Sequence, residues 1–181
     1  MKDNKTIEVN SIIQSPTIPS AFEVSDEEKI DKIAKHFKTI METLGLDLSD
    51  DSLKETPKRV AKMYVSEIFS GLNPKNKPEV TLFKNNYGYN QMLVEKNISV
   101  YSMCEHHFVP IIGSAHVAYI ANGKVIGLSK IHRMVKYFSQ RPQVQERLTR
   151  QIMENLKQTL NIDDVAVVID ARHMCVECRG V

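Results

Sequence analysis

Apolar positions fall on helical, then strand, then helical spacing along this chain. Ser25 and Glu28 form an S-x-x-E capping box. Beyond it Ile30, Ile33, Ala34, Phe37, Ile40, Met41 and Leu44 share one face, and Gly45 marks the stop. A second helix is expected from Thr56, the cap, and Pro57 in the first turn, through Val60, Tyr64 and Ile68 to Gly71. The stretch Asn73–Pro78 reads as a loop. Met92, Val94, Ile98 and Val100 then alternate as a strand, and Ala115, Val117 and Tyr119 line one face of another. Asn122-Gly123, between AHVAYI and KVIGLS, predicts a tight hairpin. Ser129 is the expected cap of a helix carrying Ile131, Met134, Val135 and Phe138. Pro142 is expected to open the next, with Val144, Leu148, Ile152, Leu156 and Leu160 near i+4 spacing. VAVVID after Asp164 suits a buried strand. Two helices, strands, two helices and strands make an α+β chain with an antiparallel sheet rather than a βαβ parallel one. Residues 1–24, with Pro16 and Pro19, show no period and read as a mobile arm.

Composition narrows the choice. The 181 residues are 42% hydrophobic and 25% charged, an ordinary globular balance. The net charge of +2 is too small to argue for a nucleic-acid partner, so any basic patch is local. No apolar run approaches the ~18 residues that cross a bilayer, and no secretory leader is visible. Three cysteines, an odd number in a chain long enough to build a core, fit a reduced cytoplasmic protein whose cysteines bind metal or react.

All three cysteines lie near histidines. Cys104-Glu105-His106-His107 forms one cluster; His173-Met174-Cys175, followed by Cys178 at a C-x-x-C interval, forms the other. These are zinc ligands in type and arrangement. Two readings follow. A structural site would close a Cys₃His tetrahedron from Cys104, His107, Cys175 and Cys178, the mark of a non-enzymatic oligomer or binding module. A catalytic site would use Cys104, His107 and Cys175 and leave the fourth position to water, whose pKa zinc lowers to about 7. His106 and His173 favour the open site, because histidines beside a metal can move protons. Ser129, Lys130 and Arg133, a hydroxyl and two cations at a helix start, suit a phosphate chain, and Arg179 adds a third cation beside the second cluster. Glu146, with Gln145 before it, stands in the first turns of the next helix, where a carboxylate can accept from the N1–H and N2–H₂ edge of a guanine. The plainer alternative at these helix starts is solvated capping.

SMCEHHFVPIIG (102–113), VIGLSKIHRMVKYFSQRPQVQERLTRQI (125–152), VAVVIDARHMCVECRG (165–180) and the earlier ETPKRVAKMYVSEIFSGL (55–72) resemble the GTP cyclohydrolase I family. The resemblance covers residues 25–181. It implies a helical region over 25–72 and, over 73–181, the tunnelling fold, an antiparallel sheet with two helices on one face. It further implies subunits joined into a toroidal homodecamer with active sites between them. It implies zinc-dependent conversion of GTP to 7,8-dihydroneopterin triphosphate and formate, the first step toward tetrahydrofolate, in the cytoplasm. On that resemblance Cys104, His107 and Cys175 hold Zn2+, and His106 and His173 transfer protons. Glu146 and Gln145 read guanine. Ser129, Lys130, Arg133 and Arg179 meet ribose and triphosphate, and Arg59 is lent by a neighbouring subunit. Cys178 lies outside the family's ligand set and could pair with Cys175 under oxidation. The family usually continues with a further strand, so a shortened last strand is expected.

Overall fold

The computed structural model describes residues 14–181; the first part of the expected arm, residues 1–13, lies outside the described residues. Residues 14–18 run without regular structure and residues 19–23 make turns, with Ala21 N–H donating to the Ile18 carbonyl and Glu23 N–H to Ser20.

Helix α1 spans Asp26–Thr43. The Ser25 hydroxyl accepts from the Glu28 N–H at 3.2 Å, but the Glu28 carboxylate turns to Lys32 at 2.7 Å, so only half of the expected capping box forms. At the other end Gly45 adopts φ +83°. Its N–H bonds to Glu42 and that of Leu46 to Met41, a Schellman closure that a side chain at Gly45 would strain. Helix α2 is shorter than expected, Thr56–Met63 with Glu55 rather than Thr56 at the cap position. Past Met63 the chain widens into a π turn over Tyr64–Ile68 and a 3₁₀ turn over Ser70–Leu72. Aromatic packing overrides helical period here: Phe69 stacks 5.2 Å from Tyr64 and 5.3 Å from Phe108.

The strands form two sheets. β1 (Leu82–Lys84) pairs antiparallel with β4 (Lys124–Ile126). The larger sheet has the order β5-β2-β3-β6, with β2 at Met92–Cys104, β3 at Pro110–Ile120, β5 at Pro142–Gln143 and β6 at Val165–His173. The three long strands are antiparallel, and β5 adds a short parallel rung. The hairpin expected at Asn122-Gly123 does not form. Both edges of β3 are taken by β2 and β6, so KVI crosses to β1 instead. Of the two turn residues only Gly123 has positive φ, whereas a type I′ turn requires both.

Helix α3 is Leu128–Ser139, capped at Gly127; Ser129 lies inside its first turn rather than at the cap. Helix α4 is Gln145–Leu160, capped at Val144. Pro142 therefore does not open that helix. With Gln143 it runs beside Met103 and Cys104, an edge position that suits a residue without an N–H.

Both helices pack on one face of the large sheet. Ile131, Met134, Val135, Leu148, Ile152 and Leu156 meet Ile98, Val100, Ala115, Val117 and Ile169 in one buried cluster. Each fully buried aliphatic side chain there contributes about 1.5–3 kcal/mol. This is the α+β arrangement of the tunnelling fold, with the helical pair preceding it. The opposite sheet face leaves Val94, Tyr101, Ile112 and Val168 exposed. Among the described residues no helix is long and apolar enough to cross a membrane.

Gly113 lies between β2 and β6, where a Cβ would stand 2.0 Å from the Asp170 carbonyl oxygen. Gly113→Ala should therefore destabilise the chain by about 1–3 kcal/mol, read as a lower urea midpoint.

Candidate active site

The site is built where two strands end at the same edge of the sheet. β2 stops at Cys104, and a tight turn follows. The Phe108 N–H donates to the Cys104 carbonyl at 2.9 Å and the Cys104 N–H to Val109 at 2.8 Å, with Phe108 in the left-handed region at φ +51°. This turn brings His107 Nδ1 to 3.8 Å and His106 Nδ1 to 3.9 Å from Cys104 Sγ. On the far side of β3, Ile111 pairs with His173, the last residue of β6. The short helix α5 (Met174–Glu177) starts at once and presents Cys175.

The ligand atoms of Cys104, His107 and Cys175 all lie within 4.8 Å of one another. Cys104 is buried, Cys175 half-buried and His107 exposed. Donors bonded to one zinc at about 2.0–2.3 Å sit within roughly 4 Å of each other, so slight contraction completes the set. Desolvation and the neighbouring Cys104 sulfur push the Cys175 thiol up, while Arg179 pulls it back. Two crowded thiols resist ionising together, and a divalent cation between them reverses that preference. Two thiolates and an imidazole suit zinc. Cys178 is not in this group; its thiol points to Met174 Sδ at 3.6 Å.

The start of α4 supplies the opposite wall. Gln145 is committed at both ends of its amide: Nε2 donates to the Ile169 carbonyl at 3.1 Å, and Oε1 lies 2.9 Å from His173 Nε2. An oxygen there accepts, so the network assigns the proton of His173 to Nε2 and leaves Nδ1 with its lone pair. Gln145 thus orients His173. The Glu146 carboxylate is exposed and faces a cavity of about 610 Å³ that Cys104, His106, His173 and Cys175 also line. The two walls are tied together. Glu105 pairs with Arg147, Arg147 Nε donates to Gln143 Oε1 at 2.9 Å, and the Glu105 N–H donates to the Gln143 carbonyl at 3.0 Å.

Other expected site residues stand apart within the single chain. Ser129, Lys130 and Arg133 lie at the start of α3, with Arg133 bordering a separate depression beside Gly71 and Gln140. Arg59 is exposed on α2. None of these four lines the cavity. Arg179 reaches the metal group instead, with Nη1 2.9 Å from His107 Nε2 and 3.4 Å from the Cys175 carbonyl. Thr149 and Arg150 do line the cavity and were missed. Their i+3 and i+4 offsets from Glu146 on α4 were the available signal.

Comparison with known proteins supplies independent findings. The family model described as GTP cyclohydrolase I matches residues 33–181. A relative named GTP cyclohydrolase 1 from Flavobacterium johnsoniae is 59% identical over 172 residues, covering 95% of this chain and 77% of its own length. Relatives of that name from Vibrio vulnificus and Vibrio parahaemolyticus are 54% and 56% identical, each over 93% of this chain and 77% of theirs.

The geometry predicts that Cys178→Ser retains the zinc content of the parent chain and that Cys175→Ser loses it, as read by metal analysis of the purified proteins. Because each thiol must shed a proton to ligate, apparent zinc affinity should fall as pH is lowered.

Proposed function

This chain belongs to the GTP cyclohydrolase I family and is an enzyme of it, and from that premise we propose that it converts GTP to formate and 7,8-dihydroneopterin triphosphate with zinc held by Cys104, His107 and Cys175. The observation that carries this reading is the juxtaposition of two thiols and an imidazole with a cavity that also takes in Glu146 and His173.

When bound, zinc lowers the pKa of the water it coordinates to about 7 and so supplies the nucleophile for hydrolytic opening of the imidazole ring. The chain's residues do the remaining work. Glu146 accepts from the N1–H and N2–H₂ donors of guanine, a pair that adenine lacks, which fixes both the identity and the orientation of the base. His173, with Nε2–H held by Gln145, keeps Nδ1 available for proton transfer on the N7 side of the base. His106 projects from the metal turn into the cavity as a second proton-transfer group. Arg179, Lys130, Arg133, Ser129 and, from a neighbouring subunit, Arg59 receive the ribose and triphosphate through charge-assisted hydrogen bonds.

Several features support the homo-oligomer. Four of these groups stand away from the cavity in one chain, and apolar side chains remain uncovered on the sheet face and at the C-terminal cap of α1. Tyr101 is 67% exposed, Val168 61% and Leu44 73%. Uncovered apolar surface of this kind marks association. The closed Cys₃His alternative has no such support, since Cys178 stands outside the ligand group.

The purified chain incubated with GTP and zinc should release formate and form a fluorescent pterin after oxidation; absence of both in zinc-loaded protein overturns the assignment. His173→Ala should retain zinc and fold but release no formate. Glu146→Ala should bind GTP more weakly by about 1–3 kcal/mol, read by calorimetry.

A further inference from the structure

Arg141 is 8% exposed, and its partners among the described residues are all neutral. Its Nε donates to the Gly71 carbonyl at 2.8 Å and Nη1 to the Ser15 hydroxyl at 3.5 Å. The guanidinium carbon stands 4.4 Å from the Tyr137 ring centroid and 4.7 Å from that of Phe138. The other structural arginines differ. Arg147 pairs with Glu105 and Arg172 with Glu177, whereas no described carboxylate comes within ion-pair distance of Arg141. Desolvation weakens its hold on its proton, Tyr137 offsets part of that, and Arg147 adds to it. A buried charge without a counter-ion is expensive, and a planar fork with unused donors is shaped for an oxyanion.

The guanidinium borders a cavity of about 460 Å³ that shares no lining residue with the one beside Cys104. Asn155 also lines it, 9% exposed and with no partner for Oδ1 among the described residues. Amide orientation is set by the network around it, so either end of Asn155 can turn to a ligand. Phe22, Leu72 and Phe138 give the cavity apolar walls; Lys77 and Glu154 are its other charged groups. Two polar side chains more than nine-tenths buried, one cationic and one unsatisfied, meet at a space large enough for a small molecule.

We propose that this cavity is a second binding site, which takes a small organic oxyanion, a carboxylate or phosphate on an apolar body, with the anionic group on the Arg141 guanidinium and Asn155 and the body against Phe22 and Leu72. The site lies outside the catalytic cavity and shares no lining residue with it.

The test uses the full, zinc-replete chain, with thermal unfolding followed in chloride and then in benzoate, acetate or inorganic phosphate at constant ionic strength. Benzoate should raise Tm saturably, and acetate and phosphate should do so at higher concentrations. Lys130→Ala with Arg133→Ala should leave the benzoate response unchanged, which separates it from the triphosphate contacts. Because Arg141→Met also loses the bond to Gly71 and can fail to fold, the decisive variant is Asn155→Asp. A carboxylate placed in the cavity should raise Tm in chloride and abolish the benzoate response. The proposal is overturned if no anion shifts Tm in the parent chain, or if Asn155→Asp responds as the parent does.

Discussion

The registration of β6 on β3 is the constraint on which the site depends. Ile111 opposite His173 sets the end of β6 level with the turn that follows β2. A slip of one residue would send every side chain of β6 to the other face. It would bury Asp170 and Arg172 against the helices and carry Cys175 away from Cys104. The alternation along β6, with Val165, Val167 and Ile169 toward the core, is therefore what places a thiol from one end of the sequence beside a thiol from the middle. Core packing and metal chemistry are one requirement here.

A second coupling joins the turn after β2 to the start of α4, on the opposite wall of the cavity. Gln143 serves both sides. Its backbone accepts from Glu105 and its side chain bonds Arg147, Gln151 and the Phe138 carbonyl. Satisfied buried networks hold a unique arrangement because each member left alone would be costly. The consequence is that Glu146 and the histidines stand on walls fixed relative to each other before substrate arrives, the preorganisation that positioning catalysis requires. Gln145 extends this to the proton inventory by fixing which nitrogen of His173 carries hydrogen.

Much of the layout was legible in the chain. Ser25, the apolar stripe behind it and Gly45 define α1, because a local cap and a period of 3.6 act without distant help. The ligand group was legible because cysteine and histidine are sparse and fall in two short clusters. What escaped was non-local. Nothing near Asn122-Gly123 reveals that β3 already has two partners, so a strong turn signal led to a hairpin that does not exist. Val60, Tyr64 and Ile68 fit a helical stripe, and only Phe108, arriving from the turn after β2 to pack on Tyr64 and Phe69, shows why the helix widens there. Gln145 read as a companion of Glu146 for the base, whereas its amide is spent on His173 and Ile169. Ser129, Lys130, Arg133 and Arg59 do not line the cavity of the single chain, and no local pattern in the sequence places them relative to it.

The central claim is a three-ligand metal position with an open corner beside the cavity that Glu146 and His173 line. Zinc K-edge absorption spectroscopy of the metal-replete full chain measures it most directly. The account predicts two sulfur ligands and one imidazole nitrogen, with a light oxygen donor in the fourth position that changes when GTP is added. Three sulfur ligands and one imidazole, unchanged by GTP, would contradict it.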